Sequence, residues 1–393
     1  MLQQPKFPWF SRNIFVLHCQ QLLRALDCKL YHNHISKHGS IDDTVDKFQT
    51  TKENAECHFQ LYKSKGQHLL TSGRVLDSIV KSSNIKATDT VLEIGPGTGN
   101  LTLRLLQAAS KVVAIEIDKR MAEALQKRVA EYGLEDRLTL IREDAMKTEF
   151  PHFDLVVANI PYGISSPLIA KLLFGTCPFR SATLLLQKEF ACRLLANPGD
   201  SEFNRLAVNV KLVAAVEHVM NVSKRDFFPV PKVDSSIVII RPKVDAPQVD
   251  LNEWCAFTRT CFSKKNKTLG ATFKQKKKLN ELMRISCFMG VSKETPMLHP
   301  SSESSDKYED AEGVEVLNDP MGNSTPSLET AVSLFKEKVI KILRTSGFED
   351  KRPLKISIEE LLHLLSLFNE NKIYFHGNVE DVSNTALDTF FES

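Results

Sequence analysis

Residues 93–99 read Glu-Ile-Gly-Pro-Gly-Thr-Gly and directly follow the apolar run Thr90-Val91-Leu92. The β-branched and aliphatic residues favour an extended strand. Gly95, Gly97 and Gly99 then let the backbone turn sharply and approach a ligand with no Cβ in the way. A helix beginning near Asn100 presents its free amide groups to whatever sits in that turn. Strand, glycine-rich turn and helix in this order make one βα unit of a nucleotide-binding sheet. A tight structural turn has a similar composition, so the loop needs support from elsewhere in the chain.

Support comes from the flanking pattern. Apolar runs at 90–94, 112–117, 138–142, 155–158, 182–186 and 236–240 alternate with helical periodicity, for instance at 74–82, 101–109 and 119–132. Such alternation specifies an α/β fold with a mostly parallel sheet and helices on both faces. Ligands of these sheets bind at the carboxyl ends of the strands. Glu116 falls near the end of the second run, where a carboxylate accepts hydrogen bonds from both hydroxyls of a ribose. Asp118 is its rival, but better placed to cap the following helix. Asp144 lies just past the third run and suits the amino group of an adenine. Either acid alone reads as a solvated charge; at successive strand ends they read as a site for a nucleotide or S-adenosylmethionine (SAM).

After the fourth run comes Asn159-Ile160-Pro161-Tyr162. The amine of a nucleobase is a poor nucleophile because its lone pair is delocalised into the ring. Acceptors that hold both N–H groups draw the nitrogen toward a tetrahedral shape. The Asn159 side-chain oxygen and the Ile160 carbonyl suit that task, with Pro161 stiffening the turn. Tyr162 offers a ring on which the base stacks, worth roughly 1–3 kcal/mol. A strand-ending proline turn with a core tyrosine is the plainer alternative. Sixty residues beyond a cofactor loop, the segment points to in-line methyl transfer, driven mostly by positioning.

Taken with Lys65-Gly66-Gln67-His68-Leu69-Leu70, Gln187-Lys188-Glu189-Phe190-Ala191 and Phe227-Phe228-Pro229-Val230-Pro231-Lys232-Val233-Asp234-Ser235, these motifs resemble the ribosomal RNA adenine dimethyltransferase family, from about residue 63 to 242. The resemblance implies a SAM-type Rossmann-like sheet over residues 58–242, followed by a smaller C-terminal helical RNA-binding domain over 243–393. It places His68, Leu70, Gly95, Gly97, Glu116, Asp144 and Asn159 around SAM. It puts Asn159, Ile160, Pro161 and Tyr162 on the target adenine, with Phe227 stacking on the other face. It further implies dimethylation at N6 of two adjacent adenines, in a hairpin loop near the 3′ end of small-subunit rRNA. The partners so implied are that rRNA and the pre-ribosomal small subunit, with the enzyme a monomer. A non-catalytic assembly or transcription factor of the same fold, and a methyltransferase for DNA or another amine, are the competing classes. The intact site motifs weigh against the first, and the 227–235 segment with the basic C-terminal region against the second.

The remaining features concern the setting. The 393 residues carry a net charge of +3. Residues 301–330 hold eight acids and one lysine, a local −7, so the rest of the chain carries +10. A basic body of that kind suits an anionic partner such as nucleic acid. Lys264, Lys265, Lys267, Lys274, Lys276, Lys277 and Lys278 cluster with no acid between Trp254 and Asn280, interleaved with Phe262 and Phe273. One solvated helix face is the modest reading; beside a base-methylating domain, an RNA-backbone contact is expected. The acidic, serine-rich segment at about 291–330 reads as a disordered insertion. Residues 1–40 are basic, nearly acid-free and amphipathic, which suits a mitochondrial transit peptide, or otherwise a basic arm. His68 and the stretch 335–375 resemble eukaryotic members, so a mitochondrial enzyme is expected, with a nucleolar one as the alternative. No apolar run nears the ~20 residues needed to span a bilayer, so no membrane role is expected. The eight cysteines form no Cys-x-x-Cys pair, which argues against a zinc site or a disulfide framework.

Overall fold

A computed structural model describes residues 46–47, 60–61, 67–264, 266–291 and 328–377. The expected transit segment, nearly all of the acidic insertion, and Lys65, Gly66 and Lys265 lie outside the described residues. Those up to Val249 form one compact unit and those from Asp250 onward a second.

The first unit begins with two short ladders. β1 (Asp46–Lys47) pairs with β2 (Gln60–Leu61). β3 (Leu69–Leu70) pairs instead with β10 (Phe227–Phe228), far away in sequence. The main sheet contains β4 (Thr90–Ile94), β5 (Lys111–Ile115), β6 (Leu138–Ile141), β7 (Leu155–Asn159), β8 (Ser181–Gln187), β9 (Ala214–Val222) and β11 (Ser235–Pro242), in the order β6-β5-β4-β7-β8-β11-β9. β4 through β8 run parallel, and β11 is antiparallel to both β8 and β9. The connection leaving β4 runs toward β5, and the one leaving its other neighbour, β7, runs the opposite way toward β8. Such a reversal opens a crevice above the carboxyl ends of the two strands.

Strand alternation builds the two faces. Leu92, Ile94, Val113, Ile115, Val156 and Ala158 point to one side. There they meet α4 (Ser165–Phe174), α5 (Lys188–Leu195) and α6 (Arg205–Val213) through Leu168, Ile169, Phe190 and Leu206. Val91, Val112, Ala114, Leu155 and Val157 point the other way. They pack on α1 (Gly73–Ser82), α2 (Thr102–Ala108) and α3 (Lys119–Glu131) through Leu76, Ile79, Leu106 and Leu125. Burying each large aliphatic side chain contributes about 1.5–3 kcal/mol, so a helix presenting two or three is held firmly. Each expected strand is present, shifted by at most two residues at either end. β9 was not expected. It is an edge strand, with Glu217, His218 and Asn221 exposed, and it follows α6 without a break.

The second unit contains α7 (Leu251–Cys261), α8 (Leu269–Phe273), α9 (Lys276–Val291), α10 (Leu328–Thr345) and α11 (Ile358–Glu370). Its core is aromatic. Phe257 meets Phe375 edge-on at 5.0 Å, and Phe273 stacks on Phe368 at 5.3 Å. Offset and edge-on pairs of this kind contribute beyond their buried area. The Ser357/Glu360 capping box expected from the sequence opens α11, each side chain bonded to the other's backbone amide.

Candidate active site

The glycine turn sits at the carboxyl edge of the sheet. Gly95, Gly97 and Gly99 have φ of +68°, +58° and +91°, a region costly to residues with a Cβ. Space is tight as well: a Cβ at Gly97 would lie 2.9 Å from Leu69 Cδ2, so that side chain would have to shift, and a Cβ at Gly95 would lie 3.3 Å from Pro161 Cδ. The second distance matters most, because it sets the cofactor turn directly against the Asn159–Tyr162 segment. The turn is tied down on three sides. Gly95 N donates to the Ile115 carbonyl at 2.9 Å. Asn100 Nδ2 donates to the Leu70 carbonyl at 2.9 Å, and Arg128 donates to Thr98 O and Asn100 Oδ1 at 3.1 and 2.7 Å.

Glu116 follows β5 and is 7% exposed. Its two carboxylate oxygens accept from Gly97 N at 3.1 Å and Asp118 N at 2.9 Å. Each oxygen keeps lone-pair capacity for a ribose hydroxyl. Burial raises its pKa, and the two backbone amides oppose the rise. Asp118 takes the capping role expected of it, accepting from Arg120 N at 3.0 Å. The Arg120 guanidinium brings its carboxyl down to about 2. Asp144 is half-buried beyond β6 and accepts from Met146 N at 2.9 Å through Oδ1.

Asn159 is the last residue of β7, Ile160 is buried, and Tyr162 begins a 3-10 turn. Asn159 Nδ2 lies 3.4 Å from the His68 carbonyl, a long bond that turns Oδ1 into the available acceptor. His68 Nδ1 donates to the Pro229 carbonyl at 2.7 Å. The β3–β10 ladder and these two bonds therefore join three separate motifs: 67–70, 159–162 and 227–235. Tyr162 shares a 2.8 Å hydrogen bond with Ser235 Oγ, whose residue is fully buried. Burial raises the tyrosine pKa above its ordinary value, so the phenol stays neutral and offers a ring rather than a base.

Two of the expected site residues have surroundings that their motifs do not show. Phe227 is 3% exposed, its ring packed in the core cluster with Leu70, Val222 and Ile237. Strand alternation in β10 turns it inward and leaves Phe228 half-buried, so Phe227 presents no open stacking face in this structure. Within the lysine cluster, Lys264, Lys267, Lys276 and Lys277 are exposed. Lys274 is exposed as well and is paired with Glu349 at 2.9 Å, which also accepts from Arg344. Phe273, which interleaves the lysines in sequence, belongs to the aromatic core.

Two further residues received no role from the sequence. Ile117, between the two acids, is 66% exposed, an apolar surface beside Glu116 that suits the face of an adenine ring. Glu93, beneath the glycine turn, is 1% exposed, and its Oε2 has no hydrogen-bond partner. Burial pushes it up to about 8, leaving a neutral acid under the loop. Ile117 carries a weak signal, being apolar between two polar positions; Glu93 reads simply as part of a strand. An acid for the ribose, another for the adenine amine, an apolar contact and a turn without Cβ atoms together fit SAM.

A family model described as ribosomal RNA adenine dimethylase matches residues 58–307. An Arabidopsis thaliana "Ribosomal RNA small subunit methyltransferase, mitochondrial" is 60% identical over 84% of this chain and 83% of its own length. A second Arabidopsis "Ribosomal RNA small subunit methyltransferase" is 45% identical over 81% of this chain and 94% of its own. Among solved structures, a Plasmodium falciparum dimethyladenosine transferase matches with a TM-score of 0.65 at 39% identity, covering 78% of this chain and all 100% of that one. The 23S rRNA methyltransferase ErmE matches with a TM-score of 0.50 at 22% identity, over 77% of this chain and 99% of its own, a likeness of fold.

Proposed function

The chain belongs to the ribosomal RNA adenine dimethylase family of SAM-dependent methyltransferases, and from that premise we propose that it places two methyl groups on N6 of each of two adjacent adenines in the 3′-terminal hairpin loop of small-subunit rRNA, in mitochondria. The observation that carries this reading is the abutment of Gly95 on Pro161, which brings a cofactor turn against an amine-gripping turn. SAM supplies the electrophilic methyl group. Glu116 holds the ribose, Asp144 the adenine amino group, and Ile117 the ring face of that cofactor. Asn159 Oδ1 and the Ile160 carbonyl accept the two N6 hydrogens of the target, and Tyr162 stacks beneath it. The target base must leave its stack to reach this turn, at a cost smaller in a loop than in a duplex. No strong base is needed, because the nitrogen sheds its proton once it is cationic.

Mitochondria are favoured by the basic, acid-poor residues 1–40 and by the name of the 60% identical relative. The pre-ribosomal small subunit is the natural presentation of the loop, and the exposed lysines would hold its phosphates. Substituting Asn159→Ala should lower kcat about 10²–10³-fold, the usual cost of removing one preorganised polar group, while leaving SAM binding largely intact. Primer extension across the two adenines reads the mark, since dimethylation stops reverse transcription. Loss of the mitochondrial stop alone in cells lacking the protein is the expected result. Loss of the cytosolic stop would move the enzyme to the nucleolus, and full turnover by Asn159→Ala would reject the mechanism.

A further inference from the structure

The turn that carries Asp144 is held from outside by a lysine that none of the motifs contains. Lys171 lies on α4, the helix that follows the Asn159–Tyr162 turn. Its ammonium donates to the carbonyls of Ala145, Met146 and Thr148 at 2.8, 3.1 and 2.6 Å. It also stands 4.3 Å from the centroid of the Phe150 ring. An ammonium has three donors and no acceptor, and here three carbonyls from four successive residues converge on it. Without the cation those carbonyl dipoles would face one another in a partly buried place.

The inner side of the same turn is built around Asp144. Its carboxylate accepts from Met146 N, and its carbonyl accepts from Lys147 N at 2.8 Å and Thr148 N at 2.9 Å. Thr148 Oγ1 adds bonds to the Asp144 carbonyl and Glu143 Oε2, each 2.9 Å. Amides folded inward and carbonyls gathered outward leave Asp144 Oδ2 as the acceptor that remains for a ligand. We propose that Lys171 is a positioning residue for the cofactor: it fixes the 144–148 turn so that the Asp144 carboxylate stays aimed at the adenine amino group. The proposal rests on the reading of Asp144 given above. Because Lys171 sits on α4, it also ties the cofactor turn to the helix launched by the target-base segment.

A second lysine supplies the control. Lys211 on α6 makes the same kind of contact, donating to Leu195 O, Ala196 O and Asn197 Oδ1 at 2.8, 2.7 and 2.8 Å, on a turn that carries none of the site residues. The experiment titrates the full chain with S-adenosylhomocysteine by calorimetry and measures KM for SAM and kcat in parallel. Lys171→Met should raise both Kd and KM about tenfold, the scale of one charge-assisted hydrogen bond, with kcat at saturating SAM nearly unchanged. Lys171→Arg should restore most of the affinity, and Lys211→Met should lower Tm without moving Kd. Should Lys171→Met not fold, Thr148→Val loosens the same turn more mildly and should shift KM in the same direction. Unchanged Kd in Lys171→Met, where Asp144→Asn weakens binding, overturns the proposal. An equal loss in Lys211→Met overturns it too, by making the effect one of general stability. If Asp144→Asn itself left Kd intact, the adenine reading would fail, and the role of Lys171 with it.

Discussion

The bond between Tyr162 and Ser235 links a residue singled out by its motif to one that looked incidental. The 2.8 Å contact orients the ring proposed to lie under the target base. Removing either partner should cost about 1 kcal/mol of that orientation, near fivefold in kcat at saturating substrates. Since both changes break one bond, Tyr162→Phe and Ser235→Ala should be strongly non-additive in a double-mutant cycle. Additive losses would mean that the hydroxyl acts elsewhere. Asn159, Glu116 and Asp144 were legible in sequence because polar residues at strand ends stand out from apolar runs. Ser235 and Lys171 were not, because a serine or lysine acquires a role only from what the fold sets opposite it. Phe227 depends on the fold in the same way: a motif carries identity, but the ladder with Leu70 decides which way the ring faces.

At the level of elements, α7 holds the end of the second unit through Glu253. Its buried carboxylate accepts from the backbone amides of Phe375 at 2.9 and 3.1 Å and of His376 at 2.7 Å. Burial pushes Glu253 up to about 7; the amides oppose the rise, and the nearby Asp250 charge adds to it. A folded pKa above the unfolded one means that the folded state binds the extra proton. The stabilisation is therefore complete below the ordinary pKa of 4.5 and disappears as pH rises through about 7. Thermal unfolding followed between pH 5 and 8 should show this decline, and Glu253→Gln should flatten it. An unaltered pH profile in the variant would rule out this assignment. The parallel strands were read almost to the residue, because burial on both faces leaves nearly continuous apolar runs. β9 escaped because an edge strand with one wet face mixes polar and apolar residues, and it continues a helix without a turn signal.

On the scale of the whole molecule, charge is the property that bears on the partner. Counterions released from RNA make binding salt-dependent in proportion to the phosphates neutralised. Changing Lys264, Lys267, Lys276 and Lys277 to glutamine should weaken rRNA binding and lower the log–log salt slope by about 0.7 per lost contact. Lys274→Gln should instead leave the slope nearly unchanged, because its charge is already met by Glu349. A slope equal to wild type in the fourfold variant would remove the patch from the RNA footprint. By itself the sequence determined the α/β class, the cofactor turn, the acids at the strand ends and the family, because each is encoded in local pattern and spacing. Only the tertiary structure decided which side chains come together. It set Gly95 against Pro161, closed the Lys171 cage, turned Phe227 inward and spent Lys274 on Glu349. Those outcomes depend on side chains from distant parts of the chain meeting within a few ångströms, and periodicity along one segment carries no record of its partners.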